Sequence, residues 1–312
     1  MRKCLLLIGL LVTLAGADSW SPPKGLVQIP LWPQGSEVLS RGIVKYDEPT
    51  KFVTNVRIPT YTFYKARVDR GGATIVVFPG GGHKVLAMEL EGTEVCDYFS
   101  RSGVNCVLVK YRVPYSGCYY DNKQRKNVTP EVPMALQDAQ RAISIIRSRA
   151  NELGIHPGRI GVMGFSAGGN VAVLASTRFR QRSYTPIDEV DRVSCRPDFA
   201  VPCYPGHMVM THKNKQPWET AHLELNIDIP ISKSIPPTFL VHAQDDPVDP
   251  YYYSEVYARE LKKVGVPYRL RGYRQGGHAF GVRKKGVDSD TWPEDVLHWL
   301  VGLGMVRGNG GP

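Results

Sequence analysis

A serine flanked by glycines, in the run GFSAG at 164–168, is the clearest sign of chemistry in this chain. The run follows a short apolar stretch, 160–165, and precedes a stretch of helical character, 169–178. A G-x-S-x-G sequence between a strand and a helix is typical of a nucleophile elbow, a tight turn that lifts a serine hydroxyl above the end of the strand. We therefore predict that Ser166 is a nucleophile and that the N–H of Ala167 stabilises an oxyanion. A Gly-rich turn with an incidental serine is the alternative.

A serine is nucleophilic at neutral pH only beside a base that a third group orients. His278 lies in the Gly-rich run QGGHAFG at 275–281, directly after a predicted strand, 268–273. A histidine in such a loop can reach the serine, so we predict that His278 is the base. His242 lies inside an apolar strand and is predicted to be a core histidine with its hydrogen bonds satisfied.

Three acids in the run QDDPVDP, at 244–250, are candidates for the orienting group. We favour Asp246, because Pro247 and Val248 follow it directly. Asp245 is the main rival, and Asp249 is a less favoured candidate. The acids that do not serve the base are expected to cap the following helix.

A second Gly-rich run, PGGGH at 79–83, follows another apolar stretch, 73–78. Consecutive glycines let backbone N–H groups point into a cavity, as in the oxyanion loop of lipases. We expect Gly81 or Gly82 to supply the second oxyanion donor beside Ala167. A phosphate-binding loop is the alternative, but neither a Walker-type Lys-Ser/Thr nor a dinucleotide-type acid follows the glycines.

Each of these segments follows a predicted strand, and the carboxyl ends of parallel strands meet at one edge of a sheet. Apolar runs without alternation, separated by helices, predict parallel strands that are covered on both faces. We predict strands at 73–78, 104–111, 160–165, 199–204, 238–243 and 268–273. We predict helices at 91–102, 132–153, 169–178, 251–264 and 293–303.

These elements predict one doubly wound α/β domain, because no linker divides the chain. The segment 43–68 alternates polar and apolar residues, which favours an antiparallel hairpin at the edge of the sheet. The irregular stretch 207–237 is expected to cover one end of the sheet, since long loops in such domains are usually functional.

The chain has 312 residues, a net charge of +10 and 42% hydrophobic residues. This composition is that of a globular protein and argues against a disordered, collagen-like or coiled-coil chain. The basic residues are scattered without a nucleic-acid motif, so we expect no nucleic-acid partner. The densest basic clusters, 178–182 and 283–285, are predicted to be solvated surface. No Cys and His spacing resembles a zinc site, and we expect neither a metal nor another cofactor.

Residues 1–17 have the pattern of a secretion signal. A positively charged start precedes an apolar run, 5–14, and small residues at 15–17 offer a cleavage site. The apolar run is shorter than the roughly 20 residues of a membrane span. We therefore expect a secreted or periplasmic mature chain, 18–312, that forms a single catalytic domain without stable membrane association.

Five cysteines follow the predicted signal, and an odd number leaves at least one unpaired. Cys106 and Cys203 lie in apolar runs and are predicted to be buried free thiols. Cys118 and Cys195 lie in loops, and the sequence leaves open whether they pair.

Four segments, which together span most of residues 70–281, carry a resemblance to a known family. They are VVFPGGGHKVLAMELEG (76–92), VLVKYRVPY (107–115), HPGRIGVMGFSAGGNVA (156–172) and the run from Leu240 to Gly281. On these segments the chain resembles bacterial α/β-hydrolases of the acetyl xylan esterase and feruloyl esterase-like group, within the esterase and lipase superfamily. The resemblance implies a mostly parallel central sheet with helices on both faces and a loop-rich cover over the carboxyl edge. It implies the catalytic residues Ser166, Asp246 and His278, with oxyanion donors around Gly81, Gly82 and Ala167. Two stretches depart from the family pattern, the polar loop 122–128 and the run 207–237 with Trp218.

These observations predict a secreted serine esterase that works through an acyl-enzyme. The expected substrates are short acyl esters, such as acetyl groups on carbohydrate oligosaccharides or related small esters. A serine exopeptidase or amidase on the same fold is the first alternative, although exopeptidases usually carry a propeller or a large cap in addition. The second alternative is a non-catalytic glycan-binding protein, which the positive charge and the aromatic residues Tyr115, Tyr119, Tyr120 and Trp218 favour.

Overall fold

A twisted mixed sheet forms the centre of the structure. The computed structural model describes residues 20–35, 52–114, 116, 119–121, 126–128, 133–209 and 223–308. The strands of the central sheet are β1 (Ile29–Pro30), β2 (Thr60–Tyr64), β3 (Thr74–Phe78), β4 (Asn105–Lys110), β7 (Ile160–Phe165), β8 (Ala200–Cys203), β9 (Thr238–Ala243) and β10 (Tyr268–Tyr273). A separate antiparallel ribbon consists of β5 (Tyr119–Asp121) and β6 (Lys126–Val128).

Neighbouring strands in the sheet follow the order β1-β2-β4-β3-β7-β8-β9-β10. All pairs from β4 to β10 are parallel, whereas β1 and β2 are antiparallel to their neighbours. The parallel strands β3, β4, β7, β8 and β9 are buried along their whole length, as their continuous apolar runs predict. The prediction of a mostly parallel α/β sheet is therefore confirmed.

Helices connect the parallel strands and cover the sheet. They are α1 (Glu94–Arg101), which continues a wider turn at Glu89–Thr93, α2 (Met134–Ser148), α3 (Ala150–Leu153), α4 (Ala167–Thr177), α5 (Tyr252–Lys263) and α6 (Trp292–Gly302). The predicted helix 132–153 is divided at Arg149, and Gly154 ends it in a left-handed conformation with a φ of 65°. Among the described helices, none has the length and apolar character that a membrane crossing requires.

The edge strand β2 is antiparallel, as its alternation suggests, but its outer partner differs from the predicted one. Its outer neighbour is β1, roughly thirty residues earlier, and Val53 forms only an isolated bridge with Leu86. Residues 43–51 of the predicted hairpin lie outside the described residues. Alternation identifies a half-buried strand but carries no information about its partner, and this explains the difference.

A buried polar network fastens β1 and β4 to α2. Asp138 on α2 is fully buried and accepts hydrogen bonds from Trp32 Nε1 (2.7 Å) and from the Arg112 backbone N–H (2.9 Å). The Arg112 guanidinium lies 2.8 Å from the same carboxylate. Gln137 completes the site by accepting from Arg112 at 2.9 Å. The network therefore balances one buried charge with another and satisfies each with further hydrogen bonds.

Arg182 contradicts the prediction that the basic cluster 178–182 is solvated surface. Its side chain is only 12% exposed and lies 3.6 Å from the buried carboxylate of Asp191. Arg141 on α2 approaches the same carboxylate to 3.0 Å. The buried acid needs cations beside it, and this draws Arg182 into the protein.

The predictions for Cys106 and Cys203 are confirmed, since both are buried free thiols. Cys195 is also a buried free thiol, whose Sγ donates to the carbonyl oxygen of Phe179 at 3.4 Å. The pairing with Cys118 that the sequence left open is therefore not formed, although Cys118 itself lies outside the described residues.

Replacement of Asp138 by alanine is expected to lower the free energy of unfolding by about 3–5 kcal/mol, because the Arg112 charge would stay buried without its partner. Urea unfolding at neutral pH measures the change. Glu189→Ala is the matched control: it breaks an ion pair with Arg192 whose side chains are 81% and 78% exposed, and should cost less than about 1 kcal/mol. Similar losses in the two variants would contradict the role of the buried network.

Candidate active site

The turn between β7 and α4 places Ser166 in a strained backbone conformation, with φ 52° and ψ −118°. Only glycine fits beside it: a Cβ on Gly164 would lie 1.9 Å from the carbonyl oxygen of Gly168. A Cβ on Gly168 would lie 2.1 Å from the carbonyl oxygen of Phe78 on β3. The G-x-S-x-G spacing is thus explained by close backbone contacts among β7, α4 and β3.

The structure brings three of the predicted site residues into one hydrogen-bonded chain. The Ser166 hydroxyl lies 3.0 Å from Nε2 of His278. On the other side of the imidazole, Nδ1 lies 2.7 Å from Oδ2 of Asp246. The carboxylate oxygen can only accept, so Nδ1 carries a proton and Nε2 is free to accept the hydroxyl proton. This is the geometry of a nucleophile, a base and a group that orients the base.

Asp246 is held by the loop that follows β9. Its Oδ1 accepts hydrogen bonds from the backbone N–H groups of Val248 (2.8 Å) and Asp249 (3.0 Å). Burial alone would raise its pKa, but hydrogen bonds from His242 and His278 outweigh burial and lower the pKa to about 2. Asp246 is therefore ionised at any pH at which the protein would act.

His242 supports the same loop from the core. Its Nε2 donates to the carbonyl oxygen of Asp249 (2.8 Å), and its Nδ1 lies 2.8 Å from the Ser254 hydroxyl. It also lies 3.5 Å from the Asp246 carboxylate. The prediction of a satisfied core histidine is confirmed.

The pKa of His278 is raised above its ordinary value of 6.5. Burial favours the neutral ring, but the hydrogen bond and the negative charge of Asp246 favour the imidazolium more strongly. The edge of the Tyr204 ring lies against the imidazole, with 5.1 Å between ring centres. His278 is thus oriented on three sides, by Asp246, by Ser166 and by an aromatic ring.

The other two candidate acids occupy different positions from the helix cap that the sequence suggested. Asp245 accepts a hydrogen bond from the backbone N–H of Gly277 at 2.8 Å and so steadies the loop that carries His278. Asp249 faces the nucleophile, with its Oδ2 3.3 Å from Ser166 Oγ. No side chain caps α5, because the hydrogen bonds to Asp246 draw this loop toward the elbow instead.

The Gly-rich loop after β3 lies beside the elbow. Gly81 has a φ of 135°, and a Cβ there would lie 2.0 Å from the carbonyl oxygen of Val85, so the tight turn needs glycine. Among the described residues, the backbone N–H groups of Gly81, Gly82 and Ala167 have no hydrogen-bond acceptor. These groups are therefore free to donate to a ligand, as expected of oxyanion donors.

Glu91 belongs to this site, and sequence reasoning missed it. Its buried carboxylate accepts from the Gly80 backbone N–H (2.7 Å) and from the Tyr204 hydroxyl (3.0 Å). Burial raises its pKa, which the two donated hydrogen bonds oppose. The only sequence signal is an acid shortly after the glycines, and Glu89 gives the same signal from an exposed position.

The first residues of the irregular stretch 207–237 pack on the Gly-rich loop. His207 lies against the fully buried His83, with 5.2 Å between ring centres. Burial, followed by the neighbouring His207, lowers the pKa of His83 well below its ordinary value. Trp218 and residues 122–125 lie outside the described residues.

A separate cavity of about 620 Å³ lies between residues 223–231 and α5. None of the catalytic or oxyanion candidates lines it, and its walls carry no nucleophile beside a base. In the described part of the chain, no group of three or more His, Cys, Asp or Glu side chains is arranged to hold a metal ion. The chemistry of the molecule is therefore concentrated at the elbow.

Known proteins share this fold and these segments. The sequence profile of the alpha/beta hydrolase fold family matches residues 127–228. An acetylxylan esterase of Xylanibacter ruminicola is 24% identical over 246 residues, which are 74% of this chain and 46% of that protein. An endo-1,4-beta-xylanase B of Butyrivibrio fibrisolvens is 24% identical over 72% of this chain and 35% of its own length. The chain thus spans less than half the length of these curated relatives.

A solved structure gives a fuller match. The acetyl ester-xyloside bifunctional hydrolase of Caldicellulosiruptor lactoaceticus superposes with a TM-score of 0.67 at 30% identity. The match covers 90% of this chain and 97% of that one. Together with the sheet order, the elbow and the matched profile, this similarity shows that the chain belongs to the α/β-hydrolase family.

Proposed function

We propose that this protein is a serine esterase that removes short acyl groups, such as acetyl, from carbohydrate or related small alcohols. The observation that carries the proposal is the chain of hydrogen bonds from Ser166 through His278 to Asp246, at 3.0 and 2.7 Å. The nucleophile of this chain stands on a strained turn at the end of β7, with unpaired backbone N–H groups beside it among the described residues.

The proposed reaction has two halves. His278 accepts the Ser166 proton while Oγ attacks the ester carbonyl, and the same proton then passes from Nε2 to the leaving alcohol. Water repeats the sequence on the acyl-enzyme and releases the acid. Asp246 stays ionised and stabilises the imidazolium that forms in each half.

Backbone N–H groups of Gly81, Gly82 and Ala167 are the proposed oxyanion donors. Their arrangement depends on Glu91, because its carboxylate ties down the preceding residue, Gly80. Fixed donors of this kind lower the barrier because they need no reorganisation as negative charge develops.

Two observations favour an acetylated carbohydrate as the substrate. The relatives of this chain include an acetylxylan esterase, a xylanase and an acetyl ester-xyloside hydrolase. The sequence of residues 1–17 has the pattern of a secretion signal, which would place the enzyme where plant polysaccharide is found. We propose a secreted or periplasmic enzyme whose mature chain, 18–312, forms one catalytic domain.

Ser166→Ala should lower kcat for p-nitrophenyl acetate by several orders of magnitude, since the nucleophile is lost while the fold is kept. Initial rates with acetate, butyrate and octanoate esters measure the effect, and acetate is expected to react fastest. A Ser176→Ala variant, whose hydroxyl donates only to the Ala172 carbonyl within α4, is the control and should retain activity. Equal rates for wild type and Ser166→Ala would refute the proposal.

The pH dependence of kcat/KM should report the protonation of His278. Only the neutral imidazole accepts the serine proton, so activity rises with pH through a midpoint above 6.5. Asp246→Asn removes the charge that raises this pKa, so its residual activity should have a midpoint at lower pH. Asp245→Asn should keep the wild-type midpoint, because its carboxylate bonds a backbone N–H instead of the imidazole. An unchanged midpoint in Asp246→Asn would contradict the assignment.

Glu91→Gln should lower kcat about tenfold with little change in KM, because its amide group meets one of two donors and releases Gly80 or Tyr204. Steady-state kinetics on p-nitrophenyl acetate measure the effect. Glu89→Gln makes the same change at an exposed position and should have no effect on kcat. The positioning role would be wrong if Glu91→Gln raised KM alone, or left both constants unchanged.

A further inference from the structure

A second carboxylate faces the nucleophile, although the proposed mechanism does not use it. Oδ2 of Asp249 lies 3.3 Å from Ser166 Oγ and 3.8 Å from His278 Nε2. Its side chain is only 11% exposed. Among the described residues, the Ser166 hydroxyl is the one donor to this carboxylate, and no lysine or arginine pairs with it.

The position of Asp249 is built by its surroundings. Its backbone N–H donates to Asp246 Oδ1 (3.0 Å), and its carbonyl oxygen accepts from His242 Nε2 (2.8 Å). Gly206 leaves the space that the carboxylate occupies, since a Cβ there would lie 2.9 Å from Oδ2. The same loop that orients His278 therefore also directs Asp249 toward the reacting atoms.

Asp249 has an unused capacity to accept hydrogen bonds. When the Ser166 proton is directed to Nε2, no other donor among the described residues reaches the carboxylate. A nearly buried carboxylate without a donor is costly, so a ligand that brings a donor is favoured and a ligand that brings a negative charge is opposed.

The geometry indicates which part of the ester meets Asp249. The alcohol oxygen must approach His278 Nε2 to receive its proton, and it shares the reacting carbon with Ser166 Oγ. Asp249 is near both of these atoms, so it lies on the alcohol side of the ester. A hydroxyl on the carbon next to the ester-bearing carbon is within reach of this position.

Resting on the proposed esterase function, we propose that Asp249 selects the alcohol half of the ester. It accepts a hydrogen bond from a free hydroxyl adjacent to the acylated position, as in a partly acetylated sugar or polyol, and it rejects alcohols that carry a negative charge nearby.

Three acetates of similar size test this selection: 2-hydroxyethyl acetate, propyl acetate and the anion of acetoxyacetic acid. All three form the same acetyl-enzyme, so ratios of kcat/KM among them report only the alcohol half. These ratios also do not depend on the fraction of active protein. Wild type should prefer the hydroxylated ester to the propyl ester about tenfold, the strength of one hydrogen bond to a charged group. It should disfavour the anionic ester by a similar factor.

Asp249→Ala should change the two preferences in opposite directions. The ratio for the hydroxylated ester should fall toward one, while the ratio for the anionic ester rises at least several-fold. Asp249→Asn should relieve the discrimination against the anion and keep part of the hydroxyl preference, because an amide oxygen still accepts. Asp245→Ala removes a carboxylate next in the sequence to Asp246 and should keep both wild-type ratios.

Two outcomes would overturn the proposal: wild type without a preference among the three esters, or Asp249→Ala with wild-type ratios. Failure of the esterase function itself is a different result. In that case wild type would hydrolyse none of the acetates, or Ser166→Ala would hydrolyse them as fast as wild type.

Discussion

The site depends on the strained turn at Ser166, a non-glycine residue with a φ of 52°. Packing enforces this conformation from several sides: Gly164 and Gly168 allow β7, α4 and β3 to approach within backbone contact. The Ser166 N–H donates to the Cys203 carbonyl oxygen on β8, and its own carbonyl oxygen accepts from Gly206. The strain is thus offset by the buried core, and in return the hydroxyl stands clear of the strand, where the loops after β9 and β10 reach it.

The electrostatics of the site follow from the placement of three carboxylates around one imidazole. Asp246 holds Nδ1 of His278, Asp249 faces the nucleophile, and Glu91 anchors the Gly-rich loop. Each carboxylate is buried or nearly so, and in such surroundings a hydrogen bond or a charge acts more strongly than in water. We assign them separate tasks: orientation of the base to Asp246, selection of the alcohol to Asp249 and alignment of the oxyanion donors to Glu91.

Much of the fold could be predicted because its signals are local. The bounds of β7, β9 and β10 agree with the predicted strands, since each is a short run that ends at a turn. Ser166, Asp246 and His278 were also recognisable, because each sits in a distinctive turn directly after such a strand. The partner of β2 and the positions of Glu91, Arg182 and Asp249 could not be predicted. They are set by contacts between distant segments, such as Glu91 with Gly80 and Tyr204.

The central claim is that Ser166 is a nucleophile activated by His278, and covalent labelling tests it most directly. The wild-type protein is incubated with a fluorophosphonate, in which Oγ would attack phosphorus and displace fluoride, and the adduct is located by peptide mass spectrometry. We expect one adduct per chain, on the peptide that contains Ser166, and far slower labelling of His278→Ala. A protein that stays unlabelled, or an adduct on a different residue with Ser166 unmodified, would contradict the claim.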